Sequence, residues 1–110
     1  MNKIELAKIK QKALEAHIPI IMDDTLAVIK EELTKSKPSK ILEIGTAVGY
    51  SAICFTEFLT DGGSIDTIER EADRVIEARE NIIKAEVQDK INIIEGDAVE
   101  ILPTLPGEYD

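Results

Sequence analysis

The spacing of apolar residues along this chain changes near Lys40, from a helical period to an alternation of short strands and helices. Before that point, Ile4 to Ala16 reads as a helix that stops near His17, because Pro19 disfavours helical geometry in the residue before it. Ile18-Pro19-Ile20-Ile21 is then extended. A second helix begins near Asp23 or Asp24, carries Met22, Leu26, Ile29 and Leu33 along one face, and ends before Pro38. After Lys40, Ile41 to Ile44 reads as a first strand closed by Gly45. Ser64 to Glu69, entered through Gly62-Gly63, is a second, and Ile91 to Glu95, closed by Gly96, is a third. Between the first two strands lies an almost wholly apolar helix, Tyr50 to Leu59. Between the second and third lies an amphipathic helix predicted to bury Ala72, Val75, Ile76, Ile82 and Ile83 on one face. A short helix from Asp97 to Leu102 follows, then the breakers Pro103, Pro106 and Gly107, and finally Glu108-Tyr109-Asp110.

Strand, helix, strand, helix, strand with right-handed crossovers makes three parallel strands lying side by side in chain order. The fold class is α/β, a Rossmann-like doubly wound parallel sheet, with residues 1–37 as an N-terminal pair of helices and residues 38–110 as one half of the sheet domain. Three strands leave the inner edge of the first one open, where the second half of such a sheet normally pairs. The chain is therefore expected to be truncated after the third strand, with the remaining strands following Asp110. Taken alone it is expected to self-associate, exchange segments or stay loosely packed.

Composition narrows the class further. Hydrophobic residues make up 44% of the 110 residues but aromatics only 4%. Ile, Leu, Val and Ala therefore carry the apolar weight, as strands covered on both faces require. No stretch approaches the ~20 apolar residues of a membrane span, and the N-terminus lacks the apolar core of a signal peptide, so a cytoplasmic protein is the default expectation. The single cysteine, Cys54, sits in an apolar helical pattern and is expected to be a buried thiol. Net charge is −9, unevenly placed: residues 1–40 carry eight Lys against six acids, and residues 41–110 carry five bases against sixteen acids. A polyanion would have to be met by Lys3, Lys8, Lys10 and Lys12, which a solvated helix face explains equally well.

The candidate chemistry gathers at the ends of the predicted strands. Glu43 lies late in a buried strand, where an acid is costly unless satisfied, and Gly45 beside it permits a tight turn or close approach of a ligand. Gly49 opens the next helix, giving Glu-x-Gly-x-x-x-Gly. A dinucleotide fingerprint would need glycine where Ala47 and Tyr50 stand, and no Gly-Lys-Ser/Thr of a phosphate-binding loop occurs. Glu69, 24 residues beyond Gly45, ends the second strand, where a carboxylate can accept both hydrogen bonds of a ribose diol. Gly96-Asp97-Ala98 ends the third, where a carboxylate and a small side chain could border an adenine. Each acid also has a structural reading: Glu43 as a buried ion-pair partner, Glu69 as a cap for the helix starting near Glu71, and Asp97 as an N-cap. His17, the only histidine, could be a general base, but its place at a helix end before Pro19 favours a capping or solvent role.

From Ile18 to Asp110 the chain resembles the N-terminal half of the class I S-adenosylmethionine-dependent O-methyltransferases of catechol and caffeoyl-coenzyme-A type. It is most similar to the bacterial branch that methylates 5-hydroxyuridine in tRNA. Glu43-Ile44-Gly45-Thr46-Ala47-Val48-Gly49-Tyr50-Ser51 carries the resemblance. It implies S-adenosylmethionine as cofactor, held by Ile21, Glu43, Gly45, Ser51, Glu69, Asp97 and Ala98. It also implies magnesium or another divalent cation that activates the acceptor hydroxyl, a cytoplasmic homodimer, and a small catechol-like molecule or tRNA as methyl acceptor. The family's metal-binding and catalytic acids lie beyond a fourth strand, which would begin near Tyr109, so no catalytic or metal residue is assigned here and the chain alone is expected to be inactive. A nitrogen or carbon acceptor, or a non-catalytic cofactor-binding or interaction module, are the competing functions.

Overall fold

Helix α1 spans Lys3–Glu15 and α2 Asp23–Ser36 in the computed structural model, which describes residues 1–105 and 107–110. Pro106, one of the predicted breakers, lies outside the described residues. Asn2 starts α1 by accepting the Glu5 N–H at 3.1 Å through its side chain. Its end is set less by Pro19 than by a reverse turn at exposed His17. That residue is left-handed (φ 56°), and the N–H groups of His17 and Ile18 return to the carbonyls of Leu14 and Ala13. Of the face predicted for α2, Leu26 is buried and Ile29 and Leu33 pack against the core, but Met22 precedes the first helical turn and stays exposed.

Strands β1 (Lys40–Ile44), β2 (Ser64–Glu69) and β3 (Ile91–Glu95) form one parallel sheet in the order β1-β2-β3. Central β2 is the most enclosed: Ile65, Thr67 and Ile68 are at most 2% exposed. Burying each isoleucine contributes roughly 1.5–3 kcal/mol. The apolar crossover is shorter than its sequence pattern suggests, with α3 over Tyr50–Phe55 continuing as a 3-10 turn at Thr56–Phe58. Cys54 is buried within it, as its pattern predicted, and burial pushes its thiol pKa up.

The second crossover, α4 (Ala72–Lys84), corrects the predicted face. Val75, Ala78, Asn81 and Ile82 are buried, while Ala72, Ile76 and Ile83 face solvent. The small side chain of Ala78 lets α4 approach the loop after β1, and Asn81 donates from Nδ2 to the Val48 carbonyl at 2.9 Å. Helix–loop packing thus outweighs the periodicity of the larger isoleucines. After β3 comes a single turn, α5 (Ala98–Ile101), and a 3-10 turn at Leu102–Thr104. The chain then crosses to the free edge of β1: the Asp110 N–H donates to the Lys40 carbonyl at 2.9 Å, and the Asp110 carboxylate accepts from the Ser39 and Lys40 N–H groups at 2.7 and 3.0 Å. Tyr109 donates to Asp66 at 2.9 Å. The start of the edge predicted to be open is therefore covered, while Ile44 at its far end is 60% exposed. Among the described residues, no helix is long and apolar enough to cross a membrane.

Candidate functional site

Parallel strands bring the carboxyl ends of β1, β2 and β3 to one edge of the sheet, and the loop leaving β1 folds back over that edge. Both Gly45 and Thr46 donate their N–H groups to the Ile68 carbonyl, at 2.8 and 3.2 Å, which lays the loop across the end of β2. Gly45 (φ 90°), Ala47 (φ 49°) and Gly49 (φ 89°) are all left-handed. For Ala47 that geometry costs about 1–2 kcal/mol, so neighbours must impose it. Glu69 does so by accepting the Ala47 N–H at 2.9 Å, and the Asn81 bond holds the next residue.

Two cavities open on this loop. One, of about 170 Å³, is lined by Ile21, Gly45, Ser51 and their neighbours; the other, of about 290 Å³, by Gly45, Glu69, Arg70, Asp97 and Ala98. Gly45 is their common wall. A Cβ built there meets no protein atom within 4 Å, so it would project into open space. Six of the seven residues predicted at the site, Ile21, Gly45, Ser51, Glu69, Asp97 and Ala98, thus line the paired cavities. The seventh, Glu43, lies just behind, bonded to Ser51.

Glu43 is not an ion-pair partner. Its Oε1 accepts from the Thr67 hydroxyl at 2.7 Å and its Oε2 from the Ser51 hydroxyl. Thr67 in turn lies 2.7 Å from the buried Thr46 hydroxyl. Sequence reasoning missed both threonines, although the β1–β2 register pairs Glu43 with Thr67 directly. The structural reading of Asp97 holds, since it caps α5 by accepting the Val99 N–H at 2.8 Å; Glu69 does not cap α4 but accepts the N–H of Glu71, the residue before that helix, at 3.1 Å through Oε2. Each carboxylate oxygen keeps a further lone pair for a ligand.

Desolvation outweighs the two hydroxyl bonds and raises the Glu43 pKa above its ordinary 4.5. The folded chain therefore holds this proton more tightly than the unfolded chain, and stability falls as pH rises from 4.5 through the folded-state value. Glu43→Gln removes the buried charge, and its amide can donate to Thr67, which then donates to Thr46. This variant is expected to melt higher than the parent at pH 7 and to lose that advantage below pH 4.5, as a pH series of thermal unfolding curves would record.

Among the described residues, no group of three or more His, Cys, Asp or Glu side chains is placed to hold a metal ion. The site is instead a carboxylate-bordered pair of cavities with a glycine wall at the carboxyl edge of a parallel sheet, where α/β proteins bind nucleotide-like cofactors. The chain belongs to the O-methyltransferase family, whose profile matches residues 1–109. It is 29% identical over 87 residues to catechol O-methyltransferase B of Danio rerio, covering 79% of this chain and 33% of that protein. Among solved structures, TomG of Streptomyces achromogenes, an O-methyltransferase of tomaymycin synthesis determined with SAM, superposes with a TM-score of 0.82 at 30% identity, covering 94% of this chain and 47% of that one. A Podospora anserina methyltransferase with SAH bound gives 0.85 at 30% identity, covering 96% and 47%. The chain thus spans about a third of that curated relative and about half of those solved chains.

Proposed function

We propose that this chain is the S-adenosylmethionine-binding part of an O-methyltransferase acting on the hydroxyl of a small catechol-like molecule. The observation that carries this reading is the convergence of the Gly45 loop, Glu69 and Asp97 on two cavities sharing one wall. Glu69 would accept both hydroxyls of a ribose, Asp97 and Ala98 would border the adenine, and Gly45 would let the nucleoside pass against backbone. Ile21 and Ser51 would line the space taken by the amino-acid end. When bound, S-adenosylmethionine supplies a sulfonium methyl group, and the positive charge on sulfur is discharged as that methyl moves to an acceptor oxygen. What this chain's residues contribute is orientation and exclusion of water, which alone can account for a large part of such a barrier. No step is assigned to a divalent cation, since the described residues offer no cluster for one.

A small acceptor is favoured over tRNA by the state of the N-terminal lysines. Lys3 pairs with Glu57 at 3.6 Å, Lys8 with Glu5 at 3.4 Å and Lys10 with Asp23 at 2.8 Å, so three of the four lysines that would meet phosphates already face an acid, in a chain of net charge −9. Several relatives are named for catechol. The test is transfer of labelled methyl groups by the protein that carries this chain, offered catechol and 5-hydroxyuridine-containing tRNA separately. Label on catechol is expected. Label on tRNA alone would move the assignment to the nucleic-acid substrate, and label on neither would count against the reading.

A further inference from the structure

The hydroxyl network behind Ser51 has a fixed direction. Each hydroxyl owns one proton. Ser51 spends its proton on Glu43 Oε2 and Thr67 spends its own on Oε1, so the short contact between the two threonines requires Thr46 to donate to Thr67. The chain Thr46 to Thr67 to Glu43 is buried or half-buried along its length. It joins the loop, β2 and β1, and Ser51 at the start of α3 closes it at the cavity. Two consequences follow from this accounting. The Glu43 carboxylate is locked in one orientation by donors on both oxygens, and Ser51 Oγ is turned so that its remaining lone pairs are free at the wall of the smaller cavity. That cavity lies across Gly45 from Glu69 and Asp97.

We infer that Thr67, backed by Thr46, is a positioning residue for the ammonium-bearing end of the cofactor: it holds Glu43, and through Glu43 it holds Ser51, without touching the ligand. This inference rests on the S-adenosylmethionine reading above. Thr67 contributes nothing to the larger cavity, where the base and ribose would lie, so its effect belongs to one end of the ligand. A residue that merely stabilised the sheet would affect both ends alike.

The experiment is calorimetric titration of the chain and its Thr67→Val and Thr67→Ser variants with two probes. S-adenosylhomocysteine carries the amino-acid end, and 5′-methylthioadenosine lacks it. Valine keeps the shape of threonine and removes the hydroxyl; serine keeps the hydroxyl. Thr67→Val is expected to weaken S-adenosylhomocysteine by about tenfold, to leave 5′-methylthioadenosine within about twofold, and to be rescued by Thr67→Ser. Thermal unfolding of each variant confirms that a folded chain is titrated, and Thr67→Ser carries the comparison if the valine variant does not fold. In that case it should bind both probes as the parent does, and equal weakening of the two would overturn the inference. Equal loss for both probes in Thr67→Val, no loss for either, or failure of Thr67→Ser to rescue would overturn it as well. If the unsubstituted chain bound neither probe, the cofactor reading itself would fall.

Discussion

Replacing Glu69 with alanine is expected to weaken S-adenosylhomocysteine binding by roughly a hundredfold or more. Two charge-assisted hydrogen bonds to a ribose diol, at ~1.5–3 kcal/mol each, set that scale. The loss is compounded locally, because the same carboxylate accepts the N–H groups of Ala47 and Glu71. Without it, the left-handed geometry of Ala47 is supported only through the Asn81 bond to the next residue, and the loop that walls both cavities loosens. Glu69→Gln separates the two contributions. It keeps one carbonyl oxygen for the Ala47 N–H and removes the charge, so an intermediate affinity is expected, with a melting temperature closer to the parent than that of the alanine variant. Calorimetric titration showing undiminished affinity in Glu69→Ala would remove this residue from the site.

Gly45→Val is expected to abolish detectable cofactor binding, whereas Gly49→Ala is expected to leave it largely intact. Both glycines are left-handed, at φ 90° and 89°, so a side chain strains the backbone, by about 1–2 kcal/mol for alanine and by more for β-branched valine, and lowers the melting temperature in either variant. They differ in what the new atoms meet. At Gly49 a Cβ would rest 3.5 Å from the Ala78 Cβ, an ordinary packing contact inside the protein. At Gly45 it would meet no protein atom and enter the space between the two cavities. A lowered melting temperature in both variants with loss of affinity in Gly45→Val alone, read by thermal unfolding and titration on the same samples, is the expected signature. Retained binding in Gly45→Val would mean that the ligand passes elsewhere.

The strands, the two crossovers and the grouping of Gly45, Glu69, Asp97 and Ala98 were legible because each follows from local signals, whereas Ile21 and Ser51 entered only through the resemblance to the O-methyltransferases. Those signals were short apolar runs closed by glycine, and acids placed where parallel strands end. What escaped depends on tertiary geometry. The inward face of α4 is chosen by the need for a small residue, Ala78, against Gly49 and for the Asn81 bond to Val48, so Ile76 and Ile83 are left outside despite their size. Thr46 and Thr67 look unremarkable in sequence and matter only because the sheet register sets Thr67 beside Glu43. The acids at the strand ends also serve two purposes at once. Asp97 caps α5 and Glu69 steadies two backbone N–H groups, so structural and binding readings of these residues are compatible rather than exclusive.

One cofactor is expected to occupy both cavities across Gly45. Backbone amide shifts of isotopically labelled chain, followed by NMR during titration with S-adenosylhomocysteine, test it most directly. Saturable shifts are expected in three segments alone, Gly45 to Ser51, Glu69 to Arg70 and Gly96 to Ala98, together with Ile21. Saturable shifts centred instead on the separate cavity between α4 and β3, lined by Arg79, Ile82, Ile83 and Ile93, or no saturable shifts at all, would contradict it.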